Sequence, residues 1–263
     1  MQRSIFADGS REFFAVLLAA LLASQVSSCG GKDGSFGGQE TVLKLSRMSF
    51  PVRIYEADKR CRALVLFASG DGGWKAFEDK ICRYLATQGL RVVGWDCRKF
   101  ADQGLYDQKV LAEGFAAALD EARRINGLGD VPVVFSGYST GAEQAVAAAA
   151  ASPRQQKLAG LLLIAPAERG RYGITTSDLM GINPVGKGSF GLSDLAQALE
   201  GLRIVQIHGE HDPLDSTEWL QHLDTPYLLK TFPGGWHFFD GGPPDFLKLL
   251  GDAINWILSP AGK

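Results

Sequence analysis

From Thr41 onward, short apolar runs alternate with longer amphipathic ones. Thr41–Ser46 and Pro51–Glu56 alternate polar and apolar residues, the pattern of half-exposed antiparallel strands. The runs Ala63–Ala68, Arg91–Trp95, Val131–Ser136, Gly160–Ala165, Arg203–His208 and Tyr227–Phe232 are apolar almost throughout and predict buried strands. Between them, Lys75–Gln88, Gln108–Ile125, Thr140–Ala151, Thr217–Leu223 and Pro244–Leu258 have helical length and spacing. Continuous apolar strands separated by helices imply an α/β fold, a mostly parallel central sheet with helices on both faces. Glu168–Leu195 is Gly-rich, irregular and too long for a plain connection, which predicts a cap or lid insertion at about residues 168–195, over the carboxyl edge of the sheet.

The chain before Thr41 follows a different pattern. Arg3 and Arg11 precede an unbroken apolar run, Phe13–Ala23, which predicts a secretory signal over residues 1–28. Eleven apolar residues are too few for a bilayer-spanning helix. Val26-Ser27-Ser28-Cys29 resembles a bacterial lipobox, so Cys29 is the expected lipidation site and the lipid-anchored first residue of the mature protein. Asp8 and Glu12 ahead of the apolar run are atypical of signal peptides. Gly30–Gln39 holds five glycines and almost nothing apolar, so residues 29–39 are expected to form a flexible tether, with one domain over residues 40–263. The expected location is the periplasm, at a membrane surface.

Composition narrows the class of partner. Of 263 residues, 27 are Lys or Arg and 29 Asp or Glu, a formal net charge of -2 that offers no broad basic surface and excludes nucleic acid as the expected partner. Export would place Cys61, Cys82 and Cys97 where disulfides persist, and either Cys61 with Cys82 or Cys82 with Cys97 fits the order of elements. These thiols form no CxxC pair or ligand cluster, and no cofactor is expected.

The strongest chemical signal is Gly137-Tyr138-Ser139-Thr140-Gly141, a GxSxG run that follows a predicted strand and opens a predicted helix. That context is the one a nucleophile elbow requires, with Ser139 projecting at the sheet edge from a strained turn. A serine hydroxyl needs a base oriented by an acid. Of four histidines, His222 is expected in solvent on a helix and His208 packed or hydrogen-bonded at a strand end. His237 lies in the loop between the last strand and the last helix and is the expected base. Asp212, in the turn after Arg203–His208, is the expected acid, with Glu210 and Asp215 as alternatives. Ser139, Asp212 and His237 then follow the chain order of α/β-hydrolases. The rival reading, His208, Glu210, His211 and Asp212 as metal ligands, lacks a helix that would present the histidines on one face.

Attack on a carbonyl also needs donors for the developing oxyanion. The backbone amide of Thr140 is one. The other is expected from Ser69-Gly70-Asp71-Gly72-Gly73-Trp74, at Asp71 or alternatively Gly72. A phosphate-binding loop is disfavoured, since the chain lacks GxxxxGK[ST] and Asp71 would repel a phosphate. The Asp71 carboxylate either caps the following helix or receives a substrate ammonium group. Glu143 and Asp240 are further candidates for the latter role, although Glu143 also suits a helix amino end. Trp74, Tyr138 and Trp236 complete the expected substrate-binding set.

Taken together, Phe67–Trp74, Val92-Val93-Gly94-Trp95-Asp96, Gly137–Glu143 and Pro233–Phe238 resemble the bacterial virulence protein VirJ/AcvB family, in an order that covers most of Cys61–Leu258. The resemblance implies a periplasmic α/β-hydrolase that hydrolyses aminoacylated phosphatidylglycerol, with a secretion-system partner in some members. By motif it makes Ser139 and His237 catalytic and places Asp71 in the oxyanion loop. The chain departs from the family pattern at Thr140, where Phe is usual, at Trp236, where His is usual, and at Cys97–Phe100. Two other classes compete with this expectation: a non-catalytic assembly factor for secretion, and a general carboxylesterase or lipase.

Overall fold

Eight strands form one sheet in the order β1-β2-β4-β3-β5-β6-β9-β10 in the computed structural model, which describes residues 36–45, 48–152 and 157–260. Cys29 and residues 1–35 therefore lie outside the described residues, as does the Asp240 side chain. The strands are β1 (Gln39–Leu45), β2 (Met48–Tyr55), β3 (Ala63–Ala68), β4 (Leu90–Trp95), β5 (Val133–Tyr138), β6 (Leu158–Ile164), β9 (Arg203–Gly209) and β10 (Tyr227–Phe232). β1 and β2 pair antiparallel, β2 joins β4 antiparallel, and every later pairing is parallel. The two strands with alternating sequence are thus the antiparallel ones at one edge. The continuous apolar strands β3, β4 and β5 are buried along their whole length.

Helices cover both faces. α1 (Ala76–Thr87) and α7 (Pro244–Leu258) close one face over Val65, Phe67, Val92 and Val205. α3 (Gln108–Arg124) and α4 (Thr140–Ala151) close the other over Leu66, Val93, Phe135 and Leu163. A short helix, α2 (Cys97–Ala101), follows β4. Their starts are legible in local chemistry. The Asp107 carboxylate accepts from the Val110 amide at 2.9 Å and Asp96 from Lys99 at 3.0 Å, satisfying donors that a helix amino end leaves unpaired. Pro244 begins α7 where its missing N–H costs nothing. Gly37–Lys263 is one compact unit, and both core layers lie within it.

Cys61, Cys82 and Cys97 are all free thiols, so neither expected disulfide is present. Cys82 packs in the α1 layer and Cys97 in the α3–α4 layer, on opposite faces of the sheet, which keeps their sulfurs apart. No helix among the described residues is long and apolar enough to cross a membrane.

Residues 168–195 contain a small hairpin of β7 (Arg169–Arg171) and β8 (Ser189–Gly191), with the short helices α5 (Thr176–Leu179) and α6 (Leu192–Leu195). One buried cation organises it. Arg171 Nε donates to both Asp178 oxygens at 3.2 and 3.0 Å, while its other nitrogens donate to the carbonyls of Lys187 and Val185.

The strand order also locates a functional edge. After β3 the chain moves outward to β4, then returns to place β5 on the other side of β3 and proceeds to β6, β9 and β10. The loops at the carboxyl ends of β3 and β5 therefore diverge, leaving a crevice where open α/β sheets bind ligands.

Candidate active site

The loop after β3 and the turn after β5 meet at that crevice. Ser139 sits between β5 and α4 with φ 52° and ψ -127°, a conformation costly for any residue with a side chain. Close packing enforces the turn. A β-carbon on Gly141 would stand 2.2 Å from the Ala68 carbonyl oxygen, and one on Gly137 would stand 2.3 Å from the Gly141 backbone. Glycine at both positions lets α4 start directly against the end of β3, which pushes the Ser139 side chain to the sheet edge.

His237 lies beyond β10 and Asp212 beyond β9, as the sequence predicts. His237 Nε2 is 3.1 Å from Ser139 Oγ, and His237 Nδ1 is 2.7 Å from Asp212 Oδ2. With its proton on Nδ1, the imidazole donates to the carboxylate and accepts from the serine hydroxyl. The Asp212 side chain is fully buried, and its other oxygen accepts from the Leu214 amide at 2.9 Å. The two loops are stitched together: the His211 amide donates to the Gly235 carbonyl at 2.8 Å, and Glu210 accepts from the Gly234 amide at 2.7 Å.

The two alternative acids have other partners. Glu210 holds the base loop through Gly234. Asp215 faces His208 at 2.8 Å and accepts from Gln206 Nε2 at 2.8 Å. Burial, and then the Asp212 charge, push the Asp215 carboxyl up to about 8. The run His208, Glu210, His211, Asp212 is dispersed: His208 turns to Asp215, Glu210 to Gly234, His211 against the Trp236 ring, and Asp212 to His237. His222 is exposed, as expected of it, but in a 3-10 turn.

The loop Ser69–Trp74 stands beside Ser139. A β-carbon on Gly70 would lie 3.7 Å from Ser139 Cβ, and the Gly73 amide donates to the Gly70 carbonyl at 3.1 Å, so Asp71 and Gly72 form the tip of a tight turn. The Thr140 amide opens α4, where first-turn N–H groups have no intrahelical acceptor. Both expected oxyanion donors therefore border the same crevice. Burial pushes the Asp71 carboxyl up, opposed first by His237 and then by the Gly72 amide.

The aromatic set divides. Trp236 is exposed beside His211, at the mouth of the site. Trp74 instead packs over Gly94, with its ring 6.4 Å from Tyr55 and 6.3 Å from Phe67, as part of the sheet–helix core. Tyr138 is 6% exposed and lies behind His237, against Phe77. Both are packing residues here, because alternation along β5 turns Tyr138 to the α1 face while Ser139 leaves the strand.

Glu143 is buried in the first turn of α4, where its carboxylate accepts from the Ala167 amide at 3.1 Å and ties that helix to the root of the 168–195 segment. Burial pushes its carboxyl up to about 8.

Sequence reasoning missed Glu78. It is buried beneath the Ser69–Trp74 turn and accepts from the Lys75 amide at 3.0 Å, closing the start of α1. Burial pushes its carboxyl up, while backbone amides including those of Lys75 and Gly70 oppose this. A Glu three residues into a helix is a capping signal, but Lys75 at the cap position hides it. Gln206 was missed as well. It bridges Asp215 to the Trp219 indole, and a lone Gln within an apolar strand carries no motif.

The family model of the bacterial virulence protein (VirJ) matches residues 62–255, which takes in the elbow, the turn after β3 and both the acid and base loops. The chain belongs to the VirJ family. No curated protein matches it. Among solved structures, this VirJ-family chain is similar to a thermostable carboxyl esterase from Bacillus coagulans, at 15% identity over 84% of this chain and 99% of that one, with a TM-score of 0.64. It is also similar to Est1E from Butyrivibrio proteoclasticus, at 12% identity over 85% and 100% with a TM-score of 0.63. A third is an alpha-beta serine hydrolase homologue from Coxiella burnetii, at 16% identity over 84% and 100% with a TM-score of 0.60. At these identities the likeness establishes the fold, and the VirJ-family chain has the α/β-hydrolase fold.

Proposed function

We propose that this VirJ-family chain is a serine hydrolase that cleaves a carboxylic ester through an acyl-enzyme on Ser139. The observation that carries the reading is the unbroken chain of contacts from Ser139 Oγ through His237 to the buried Asp212 carboxylate. Ser139 Oγ attacks the ester carbonyl carbon while His237 Nε2 takes its proton. The amides of Thr140 and Asp71 hold the oxyanion. On collapse, the His237 proton goes to the leaving alkoxide. Water, deprotonated by the same nitrogen, then attacks the acyl carbon, and as the acyl bond to Ser139 Oγ breaks His237 returns that proton to the serine, releasing the acid. Asp212 keeps the proton on Nδ1 and stabilises the imidazolium that forms in each half-reaction.

For substrate we propose an aminoacyl ester of phosphatidylglycerol, met at the periplasmic membrane surface by a chain exported and anchored through Cys29. Family membership supports this, as does Asp71, a carboxylate beside the serine where a substrate ammonium would lie. A general carboxylesterase is the second reading, favoured by the fold shared with an esterase. Incubation with lysyl- and alanyl-phosphatidylglycerol separates them. Free amino acid and free phosphatidylglycerol are expected, with release abolished in Ser139→Ala. Faster cleavage of short acyl esters would favour the second reading. No hydrolysis of any ester would leave the non-catalytic assembly role.

A further inference from the structure

Ser69 follows β3 directly and is fully buried. The first amide of α2, on Cys97, has no acceptor within its own helix and donates to Ser69 Oγ at 3.0 Å. With that side of the oxygen occupied, the single hydroxyl proton goes to the Gly70 carbonyl at 3.1 Å. The Gly73 amide donates to the same carbonyl, also at 3.1 Å, and the Ser69 amide is held by the Trp95 carbonyl at 2.9 Å. Two donors therefore fix the direction of the Gly70 carbonyl. The carbonyl and N–H of one trans peptide point to opposite sides, so the peptide joining Gly70 to Asp71 turns its N–H away from Ser69 and Gly73. Gly70 is itself pressed against the elbow, where a β-carbon would lie 3.2 Å from the Tyr138 ring and 3.7 Å from Ser139 Cβ. Among the described residues nothing accepts from the Asp71 amide. The Gly72 amide, the alternative donor, faces the Asp71 carboxylate instead.

We propose that Ser69 is a positioning residue for the reaction at Ser139: its hydroxyl holds the peptide between Gly70 and Asp71 in the orientation that offers the Asp71 amide to the oxyanion. The inference rests on the proposed function, because that amide is one of the reaction's two donors. Without the hydroxyl, the Gly70 carbonyl keeps only the Gly73 amide as a donor. Gly70 has no side chain to resist rotation of the peptide. Rotation would swing a carbonyl oxygen toward the oxyanion in place of an N–H, exchanging attraction for repulsion. The Thr140 amide needs no such support, since it belongs to the first turn of α4 and is oriented by that helix. Ser69 also ties the turn after β3 to the start of α2, so the donor is fixed relative to two strands of the sheet. Its effect belongs to the transition state, where the negative charge develops, and much less to substrate binding.

Hydrolysis of a p-nitrophenyl ester and binding of a trifluoromethyl ketone by the full chain test this. Ser139 Oγ adds to the ketone carbon and its proton passes to His237, leaving an alkoxide where the oxyanion of the reaction would sit. Ser69→Ala is expected to lower kcat about 10- to 100-fold, short of losing a whole donor, with KM changed less than about threefold. Ketone affinity should fall by the same factor as kcat/KM. Ser136→Ala is the control, since that buried hydroxyl donates to the Leu162 carbonyl at 2.7 Å within the sheet. It should lower Tm much as Ser69→Ala does while keeping kcat and ketone affinity. Unchanged kcat and ketone affinity in Ser69→Ala would overturn the inference, and so would an equal loss in Ser136→Ala. A crystal structure of the ketone adduct of the unaltered chain gives a reading independent of any variant's folding. Its alkoxide should accept from the Asp71 and Thr140 amides, and an alkoxide held by Gly72 would overturn the inference as well. A chain that neither cleaves the ester nor binds the ketone would overturn the proposed function and this inference with it.

Discussion

At the scale of single residues, the acidic groups around Ser139 differ in what they do because they differ in burial and partners. Asp212 is buried and accepts from His237 and from a backbone amide. Glu143 is equally buried but, among the described residues, receives one hydrogen bond, from the Ala167 amide, and burial dominates, raising its pKa to about 8. An acid whose pKa is raised on folding binds more protons in the native state, so stability falls as pH rises through the interval between the two pKa values. For Glu143 the penalty is absent below about pH 4.5 and complete above about pH 8. Glu143→Gln keeps an acceptor for Ala167 and removes the ionisation. The variant should lose part of the decline in Tm between pH 5 and pH 8, giving a higher Tm than the unaltered protein at pH 8. Thermal melts across that range check it, and parallel curves for the two proteins would refute the assignment.

At the scale of elements, the site depends on how closely α4 starts against β3. Gly141 is the contact point, with the Ala68 carbonyl oxygen 2.2 Å from where a β-carbon would be. Gly141→Ala must push the helix off the sheet or distort the elbow, at a cost of about 3 kcal/mol or more, the upper end for overpacking. Urea unfolding measures this, and ester hydrolysis should fall with it because Ser139 moves relative to His237. Gly129→Ala is the control, since nothing lies within 4 Å of that position, and it should stay within about 0.5 kcal/mol. These elements were the legible part of the chain. β3, β10, α4 and α7 begin and end where hydrophobic patterning predicts, because continuous apolar strands and capped or Pro-started helices announce their own ends. Patterning did not resolve β7, β8, α5 and α6. They are only three or four residues long and are shaped by Arg171 reaching across the segment to Asp178, Val185 and Lys187, a contact no local period encodes.

At the scale of the whole molecule, a parallel sheet whose order reverses beside β3 brings together residues far apart in the chain, Ser139 and His237 by 98 positions. The residues of the proposed triad were readable because each follows a strand in the chain order of this fold. Their supports were not, since Glu78, Gln206 and the stitching role of Glu210 arise only once loops from different strands meet. Trp74 and Tyr138, expected among the substrate contacts, stand next to site residues in sequence but pack in the layer between the sheet and α1, with the Tyr138 ring 5.2 Å from that of His237. The account as a whole turns on Ser139 being a nucleophile activated by His237. Labelling with a fluorophosphonate probe and mapping the modified residue tests that directly. The account predicts one equivalent of label on Ser139, abolished in Ser139→Ala at unchanged Tm. A folded protein that takes no label, or a Ser139→Ala variant labelled as strongly as the unaltered chain, would contradict it.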